Sequence, residues 1–507
     1  MGQTTIVLML ITILSKILGF ARESVMASYI GAGELKSIYT TATTFPAFLS
    51  GILISGIVSG YIPIYNKANI EEGEGSALDF TNNILNVLMV VSTILFLVTI
   101  IFAKPIVKLL SPGLIGTPLN LAVGFTRIMG FSIFVYFYAS VISGYLNIRN
   151  NFIDSTITGL ILNIIIIIAT IFTGILNKPY ILIIGTLIAN IFQYIRFPFV
   201  SKKLGFHYKL RLKLHDKYVK CLFILILPIV LSSAADQFSL IIDNAMGSAF
   251  FGKDSVSKIF YAKTMLGFIT GVITMSISTV TYPSIAYSGQ NGHIEQMKDE
   301  VSSSLLITLL LVIPATFGMM ILANPIIRIA FERNAFTSYD TEIVSNLMCS
   351  YAPYIIFVSI IKIFSNAFYA VRESKLPVII ILIQQAINFL LNFILIRFFG
   401  LNGLAFATSI STAIGSIMII LAFYKRFGKL ESMENIKSIV KVTMASIIMA
   451  LSTYFIYDFL LDKIGYIFAL LISVLISGIL YIFIIFVFKI DEVDKIKNSI
   501  MNKLGRK

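Results

Sequence analysis

The chain has 507 residues, of which 57% are hydrophobic, 13% aromatic and only 13% charged. A water-soluble surface carries about 25% charged residues, so a soluble multidomain protein, a disordered chain and a collagen-like or disulfide-framework protein are excluded. The net charge of +14 is that of a polytopic membrane protein with Lys and Arg on its loops, and no nucleic-acid partner is expected.

A helix crosses the hydrocarbon core in about 20 apolar residues. Apolar runs between charged or Pro/Gly breaks predict about 14 transmembrane helices, near residues 5–30, 37–65, 81–110, 119–146, 153–176, 180–200, 219–250, 259–287, 300–330, 343–370, 376–398, 401–424, 436–459 and 464–488. The first run holds Lys16, Arg22 and Glu23, and no small-residue cleavage site follows a short apolar core. It reads as a span that carries charge, not as a removable signal. With a cytoplasmic N-terminus, 24 of the 39 Lys and Arg fall in cytoplasmic connections and the tail, 10 on the opposite side and 5 inside spans. This bias predicts that both termini are cytoplasmic. The richest connection, residues 197–220, alternates apolar and basic residues and is expected to lie on the anionic inner leaflet. Its two histidines read as surface residues. Cys221 and Cys349 lie in apolar surroundings and say nothing about redox compartment. Pro63, Pro228, Pro283, Pro314 and Pro353 mark expected kinks.

At an offset of 221 residues, 30–61 lies on 251–282, with identities at Gly31/Gly252, Ile38/Ile259, Thr43/Thr264, Ile52/Ile273, Ser55/Ser276 and Tyr61/Tyr282. GYLNIRNNF (144–152) resembles AFYAVRESK (367–375), aligning Arg149 with Arg372, and GTLIANIFQYIRF (185–197) echoes GLAFATSISTAIG (403–415). Six spans per unit is an even number, so both units keep one orientation. The expected fold is therefore all-α: two six-helix lobes related by a parallel repeat, plus two extra C-terminal helices. The expected domains are an N-terminal lobe (1–218, with the basic loop 197–220), a C-terminal lobe (219–430), two further helices (431–489) and a basic cytoplasmic tail (490–507).

The basic residues inside spans are Lys16, Arg22, Arg127, Lys263 and Lys362. Each costs about 2.5–3.5 kcal/mol in the bilayer centre, so each should face a watery cavity or a partner. Arg127 lies near a span end and reads as a snorkelling side chain. Lys362 is central in its span and suits either a cavity or an internal pair. Lys16 and Glu23, seven apart, share a helix face, and Arg22 projects about 120° away. The bland reading is an interhelical ion pair. The functional reading is a cationic pocket, joined by Lys263 from the other lobe, with the potential to hold phosphate or pyrophosphate. Asp236 and Asp243 share a face of the seventh span, and at the repeat offset Asp243 falls on Arg22. That asymmetry suggests anion binding in one lobe and a coupling cation in the other. Asn388 and Asn392, four apart on the eleventh span, offer hard oxygens suited to Na⁺. On spacing alone, interhelical hydrogen bonding comes first. There is no Walker loop, HExxH or GxSxG, and all three His lie in loops, so no enzyme activity is expected.

SKILGFARESVMASYIGAG (15–33), QFSLIIDNAMGSAFFGKDSVSKIFYAKTM (237–265) and TYPSIAYSG (281–289) resemble the MurJ (MviN) lipid II flippases of the multidrug/oligosaccharidyl-lipid/polysaccharide exporter superfamily. The span count and the two extra helices are similar to that family too. The resemblance implies transbilayer movement, by alternating access, of undecaprenyl-pyrophosphate-linked peptidoglycan precursor (lipid II) for cell-wall synthesis and cell shape. It implies a monomer in the bacterial cytoplasmic membrane, in contact with membrane lipids and with cell-wall synthases as partners. It implies a pyrophosphate cavity of Lys16, Arg22, Glu23 and Lys263, and a lipid-tail groove on the two extra helices. Where the family has a Na⁺ site, its residues map to Asp243, Asn388, Asn392, Thr408 and the carbonyl of Leu404; Na⁺ is then a coupling ion and no other cofactor is implied. Lys stands at 16 and 263 where the family usually has Arg, and Lys lacks the bidentate phosphate fork. FPAFLSGILISG (45–56) is uncharged where the family carries an Arg. The alternatives are an exporter of another lipid-linked polysaccharide unit, which the uncharged second span favours, and a cation-coupled drug antiporter, which the basic cavity disfavours.

Overall fold

The computed structural model describes residues 2–213, 215–430 and 433–488, and these are helical apart from turns and one extended stretch. The expected tail at 490–507 and the side chain of Asp236 lie outside the described residues. The chain forms two compact units, Met1–Ser257 with Phe331–Thr337, and Lys258–Ala330 with Ser338–Lys507.

The first unit holds α1 (Gly2–Ile30), α2 (Glu34–Glu72), α3 (Glu74–Ile101), α4 (Ala103–Leu110), α5 (Thr117–Gly130), α6 (Ser132–Ile148), α7 (Phe152–Thr156), α8 (Thr158–Leu176), α9 (Pro179–Phe192), α10 (Phe197–Lys203) and α11 (Lys217–Phe251). Helix α2 is its hub and packs on α3, α5, α6 and α11, while α8 lies against α1 and α9. Gly56 and Gly60 let α2 and α11 approach closely: a Cβ at Gly60 would stand 2.7 Å from Ile226, the small-residue spacing that membrane helices use for tight contact. The repeat assigns α11 to the second lobe, beginning at 219; by packing it belongs to the first unit, which runs to Ser257. Tyr61, Phe80, Tyr145 and Phe197 anchor the core beneath α2.

The second unit holds α12 (Ser255–Ile269), a π-helical turn (Thr270–Thr274), α13 (Met275–Gln290), α14 (Ile294–Ile321), α15 (Ala323–Phe331), α16 (Ser338–Tyr351), α17 (Tyr354–Ala370), α18 (Lys375–Phe399), α19 (Asn402–Phe427) and α20 (Met433–Val487). Helix α14 packs against α13, α17 and α20. Pro63, Pro283 and Pro314 sit inside helices, whereas Pro353 falls at the break between α16 and α17.

Ten helical rods among the described residues are long and apolar enough to cross a membrane, against about fourteen expected. Helices α1, α2 and α11, with 29, 39 and 35 residues, are not among those ten. The last two expected spans form one helical stretch, Lys437–Val487, which breaks at Gly465, where φ is 77° and ψ 159°.

The repeat is written in the backbone. Left-handed φ values recur at Gly31/Gly252, Gly73/Gly292, Asn150/Arg372, Asn177/Gly400 and Gly205/Gly428, each pair 219 to 223 residues apart. The short helices AKPIVKLL (α4) and ANPIIRIAF (α15) begin 220 residues apart. Both halves thus turn at equivalent places.

The basic connection after α10 is strapped to α3. Asn82 Nδ2 donates to the His207 carbonyl (3.2 Å) and its Oδ1 accepts from Lys209 N (2.7 Å). Asn86 Nδ2 donates to the carbonyls of Lys209 (3.2 Å) and Arg211 (3.1 Å), and its Oδ1 accepts from the Tyr208 hydroxyl (2.6 Å). Asn83 exchanges two bonds with the Lys213 backbone (2.9 and 2.7 Å). Arg211 also pairs with Asp79. Asparagine amides take the place of the missing partner strand and satisfy an extended backbone. At the far end of the strap, Lys217 pairs with Glu72 at 2.5 Å and holds that carboxyl below its usual range; the Tyr218 hydroxyl does the same for Glu71.

Asn86→Ala removes three of these contacts at once. Each buried polar group left unpaired costs about 1–3 kcal/mol, so the strap is expected to open. Trypsin should then cut at Lys209 and Arg211 faster than in the parent protein; an unchanged cleavage rate would mean that the asparagines do not hold it.

Candidate functional site: a buried ion cluster and a polar seam

Glu23 is 4% exposed, yet it lies in a helix expected to span a membrane. Two cations reach its carboxylate. Arg22 donates from Nε (3.0 Å) and Nη2 (2.7 Å) to Oε1, and Lys36 donates from Nζ (2.8 Å) to Oε2. Arg22 Nη1 also donates to Asn163 Oδ1 on α8 (3.0 Å), and Asn163 Nδ2 donates to the Ser15 carbonyl (3.1 Å). The Lys36 ammonium lies 2.8 Å from Met26 Sδ and 5.4 Å from the centre of the Tyr39 ring. Tyr39 in turn accepts a bond from Thr186 of α9 (3.3 Å). One carboxylate thus gathers α1, α2, α8 and α9.

The local chain dictates this arrangement. α1 ends at Ile30, and Gly31 at φ 76° turns the chain back. A Cβ at Gly31 would stand 2.5 Å from the Ala335 carbonyl oxygen, so only glycine fits both the turn and the contact. The segment Phe331–Thr337 closes over α1: Ala335 N donates to the Ser28 carbonyl (3.0 Å), and Arg333 donates to Ser24 Oγ (2.8 Å). After the turn, Lys36 falls in the first turn of α2, and its long side chain reaches back to Glu23.

Lys36 was counted with the far-side loop charges; it is fully buried. Spacing puts Glu23 on one helix face with Lys16; its carboxylate is taken up by Arg22 and Lys36. Asn163 was not singled out. The cluster of Arg22, Lys36 and Glu23 carries a formal charge of +1. Lys36 is sealed, and Arg22 is 24% exposed and so open to a ligand. Lys16 is exposed on α1. In the second unit, Lys263 is half-buried and its ammonium lies 5.1 Å from the centre of the buried Tyr351 ring. Arg127 is exposed and donates to the Ile100 carbonyl (3.3 Å), as a snorkelling side chain does. Lys362 is half-buried on α17 and makes no ion pair among the described residues.

A polar seam joins α18 and α19 in the second unit. Gln384 Nε2 donates to Thr412 Oγ1 (3.1 Å), Asn388 Nδ2 to Thr408 Oγ1 (3.2 Å), and Thr408 Oγ1 to the Leu404 carbonyl (3.1 Å). Asn392 Nδ2 lies 3.5 Å from Asn388 Oδ1. Four of the five residues assigned to a Na⁺ site therefore meet here: Asn388, Asn392, Leu404 and Thr408. They supply neutral oxygens, the donor type that Na⁺ takes. The fifth, Asp243, is fully buried on α11 in the first unit. No group of three or more His, Cys, Asp or Glu side chains gathers among the described residues, so a transition-metal centre has no support there.

The buried cluster makes a testable demand. Glu23→Gln takes the carboxylate away from two cations, one of them the fully buried Lys36, and breaking such a pair costs about 3–5 kcal/mol. The melting temperature of the detergent-solubilised protein should fall, and Lys36→Met added to Glu23→Gln should restore much of the loss. If the double variant melts no higher than Glu23→Gln alone, the pair is not what holds α1 to α2.

Known proteins place this geometry. The family model described as "Lipid II flippase MurJ" matches residues 26–475. Curated relatives named "Probable lipid II flippase MurJ" include one from Buchnera aphidicola subsp. Acyrthosiphon pisum (strain APS), 29% identical over 460 residues that cover 87% of both chains. Another, from Thermotoga maritima, is 26% identical over 497 residues, 97% of this chain and 98% of that protein. A solved structure titled "Lipid II flippase MurJ, inward closed conformation" superposes with a TM-score of 0.83 at 26% identity, covering 96% of this chain and all of that one. An inward-facing multidrug-resistance MATE transporter of the MOP superfamily shares the fold alone, with a TM-score of 0.68 at 15% identity over 82% of this chain and 95% of that one. The family match spans most of the chain and the structural match nearly all of it: the protein belongs to the MurJ lipid II flippase family.

Proposed function

We propose that this protein moves lipid II, an undecaprenyl-pyrophosphate-linked saccharide, from the inner to the outer leaflet of the bacterial cytoplasmic membrane, with both termini cytoplasmic and no bond made or broken. The observation that carries this reading is the Glu23 cluster, in which Lys36 is sealed while the Arg22 guanidinium is 24% exposed and keeps its charge within reach of a ligand. In low dielectric that charge attracts a pyrophosphate strongly. Arg22 is the primary anion contact and offers a planar fork; Lys16 and Lys263 add point charges. Glu23 holds Arg22 in place and keeps the empty site from being too cationic to exist in the membrane. Lys36 is a positioning residue that acts through Glu23.

The prenyl tail would lie in the apolar groove between α14 and α20. Its volume is about 220 Å³, and Ile307, Leu311, Ile482 and Phe486 line it. Tyr481 fixes the helix pair by donating to the Leu310 carbonyl (2.7 Å). The seam of Asn388, Asn392, Thr408 and the Leu404 carbonyl, with Asp243, is the proposed place for a coupling Na⁺. The protein works as a monomer, and cell-wall synthases downstream consume the flipped precursor.

Arg22→Ala should fail to support growth of a flippase-depleted strain while inserting in the membrane at parental levels; full growth would sink the anion-site assignment. For the cation, an equal concentration of Na⁺ should stabilise the purified protein more than K⁺, by about 2.7 kcal/mol at a hundredfold excess over Kd. The difference should vanish in Asp243→Ala. Equal melting in Na⁺ and K⁺ would remove the seam from the mechanism.

A further inference from the structure

A second cavity, of about 470 Å³, lies between the strap and α3 in the first unit and belongs to none of the transport machinery above. That is the size range of small-ligand sites. Its lining mixes polar and apolar side chains. Leu85 and Met89 of α3 and Tyr138 of α6 form its floor, and Lys202, His207 and Tyr208 stand at its rim. Lys202 and His207 are exposed. The cavity sits where α3 changes character: Asp79, Asn82, Asn83 and Asn86 give way to an uninterrupted apolar run from Val87 to Val91. Beyond the floor, Val90, Ile94 and Leu97 form an exposed apolar ridge up α3 at spacings of four and three. Phe199, Leu210 and Leu212 are exposed as well. The asparagines fasten the backbone of its wall.

We propose that this cavity binds one anionic phospholipid from the leaflet that the strap faces. Its phosphate lies at Lys202 and His207, and one acyl chain passes over Met89 and Tyr138 onto the Val90–Ile94–Leu97 ridge. Basic side chains at a membrane surface attract anionic lipid, and a pre-formed wall lowers the ordering cost of holding a flexible one. The strap's charge then acts at a defined position instead of as a diffuse field. This site is separate from the pyrophosphate cavity, and its test does not depend on flipping.

The experiment is native mass spectrometry and thermal melting of the purified full chain with phosphatidylglycerol, phosphatidylcholine or inorganic phosphate. Phosphatidylglycerol should be retained and should raise the melting temperature, and the other two should do neither. Lys202→Gln with His207→Gln, both at exposed positions, should weaken phosphatidylglycerol binding about tenfold or more, as expected for the loss of charge-assisted contacts. Met89→Trp fills the floor and should weaken it too with the rim intact. If Met89→Trp does not fold, the rim variant alone decides. Equal retention of phosphatidylcholine, an equal shift with inorganic phosphate, or unchanged binding in the rim variant would overturn the proposal.

Discussion

A carboxylate in a membrane interior needs cations of its own, and Glu23 has two. The rest of the first unit is arranged around that need. Lys36 can reach Glu23 only because Gly31 turns the chain tightly enough, and Gly31 can sit there only without a side chain, against Ala335. Arg22 shares its fork between Glu23 and Asn163, so α8 is set by the same contact. A buried pair is not itself a source of great stability. Its value lies in direction: it specifies which faces of the helices meet, where apolar packing alone would accept several.

The two halves show how one backbone serves two chemistries. Their left-handed turns and short helices recur at a nearly constant spacing. Their polar residues do not. Arg22 has Asp243 at its repeat position, and buried Lys36 has Ser257, whose backbone N–H donates to Ser37 Oγ at 3.0 Å. At the Lys36 position a charge is thus replaced by a hydrogen-bonding group and at the Arg22 position its sign is reversed, while the second unit places amides and hydroxyls on the α18–α19 seam.

Identities at a fixed offset made the parallel repeat legible in the sequence, and hydropathy the all-helical membrane fold and most of the helical rods. It did so because apolar length is dictated by bilayer thickness and survives any detail of packing. Arg22 and Glu23 were legible for the same reason, as charges where none belong. Lys36 was not. Its neighbourhood, GAGELKS, reads as a polar turn between spans, and nothing local reveals that the turn tucks the lysine back under α1. The docking of the strap was not legible either: alternating basic and apolar residues point to a lipid surface, and nothing in them names Asn82, Asn83 and Asn86 as partners. Three asparagines within five residues of a span are an expensive composition unless something docks on them. The α11 assignment turned on distance rather than pattern: a repeat fixes descent and internal geometry, and packing follows the glycines.

The fastened strap also changes how the chain can be engineered. A long basic connection is where a fluorescent reporter or an epitope would ordinarily be spliced in, since loop length is commonly read as tolerance. Here an insertion anywhere from His207 to Lys213 must tear the backbone from three asparagines. The better graft point is the short acidic turn at Gly73, where φ is 86° and nothing lies within 4 Å of a would-be Cβ. Of these two connections, the longer has its backbone fastened to asparagine side chains, and the shorter is held through its side chains, which a graft at Gly73 can leave in place.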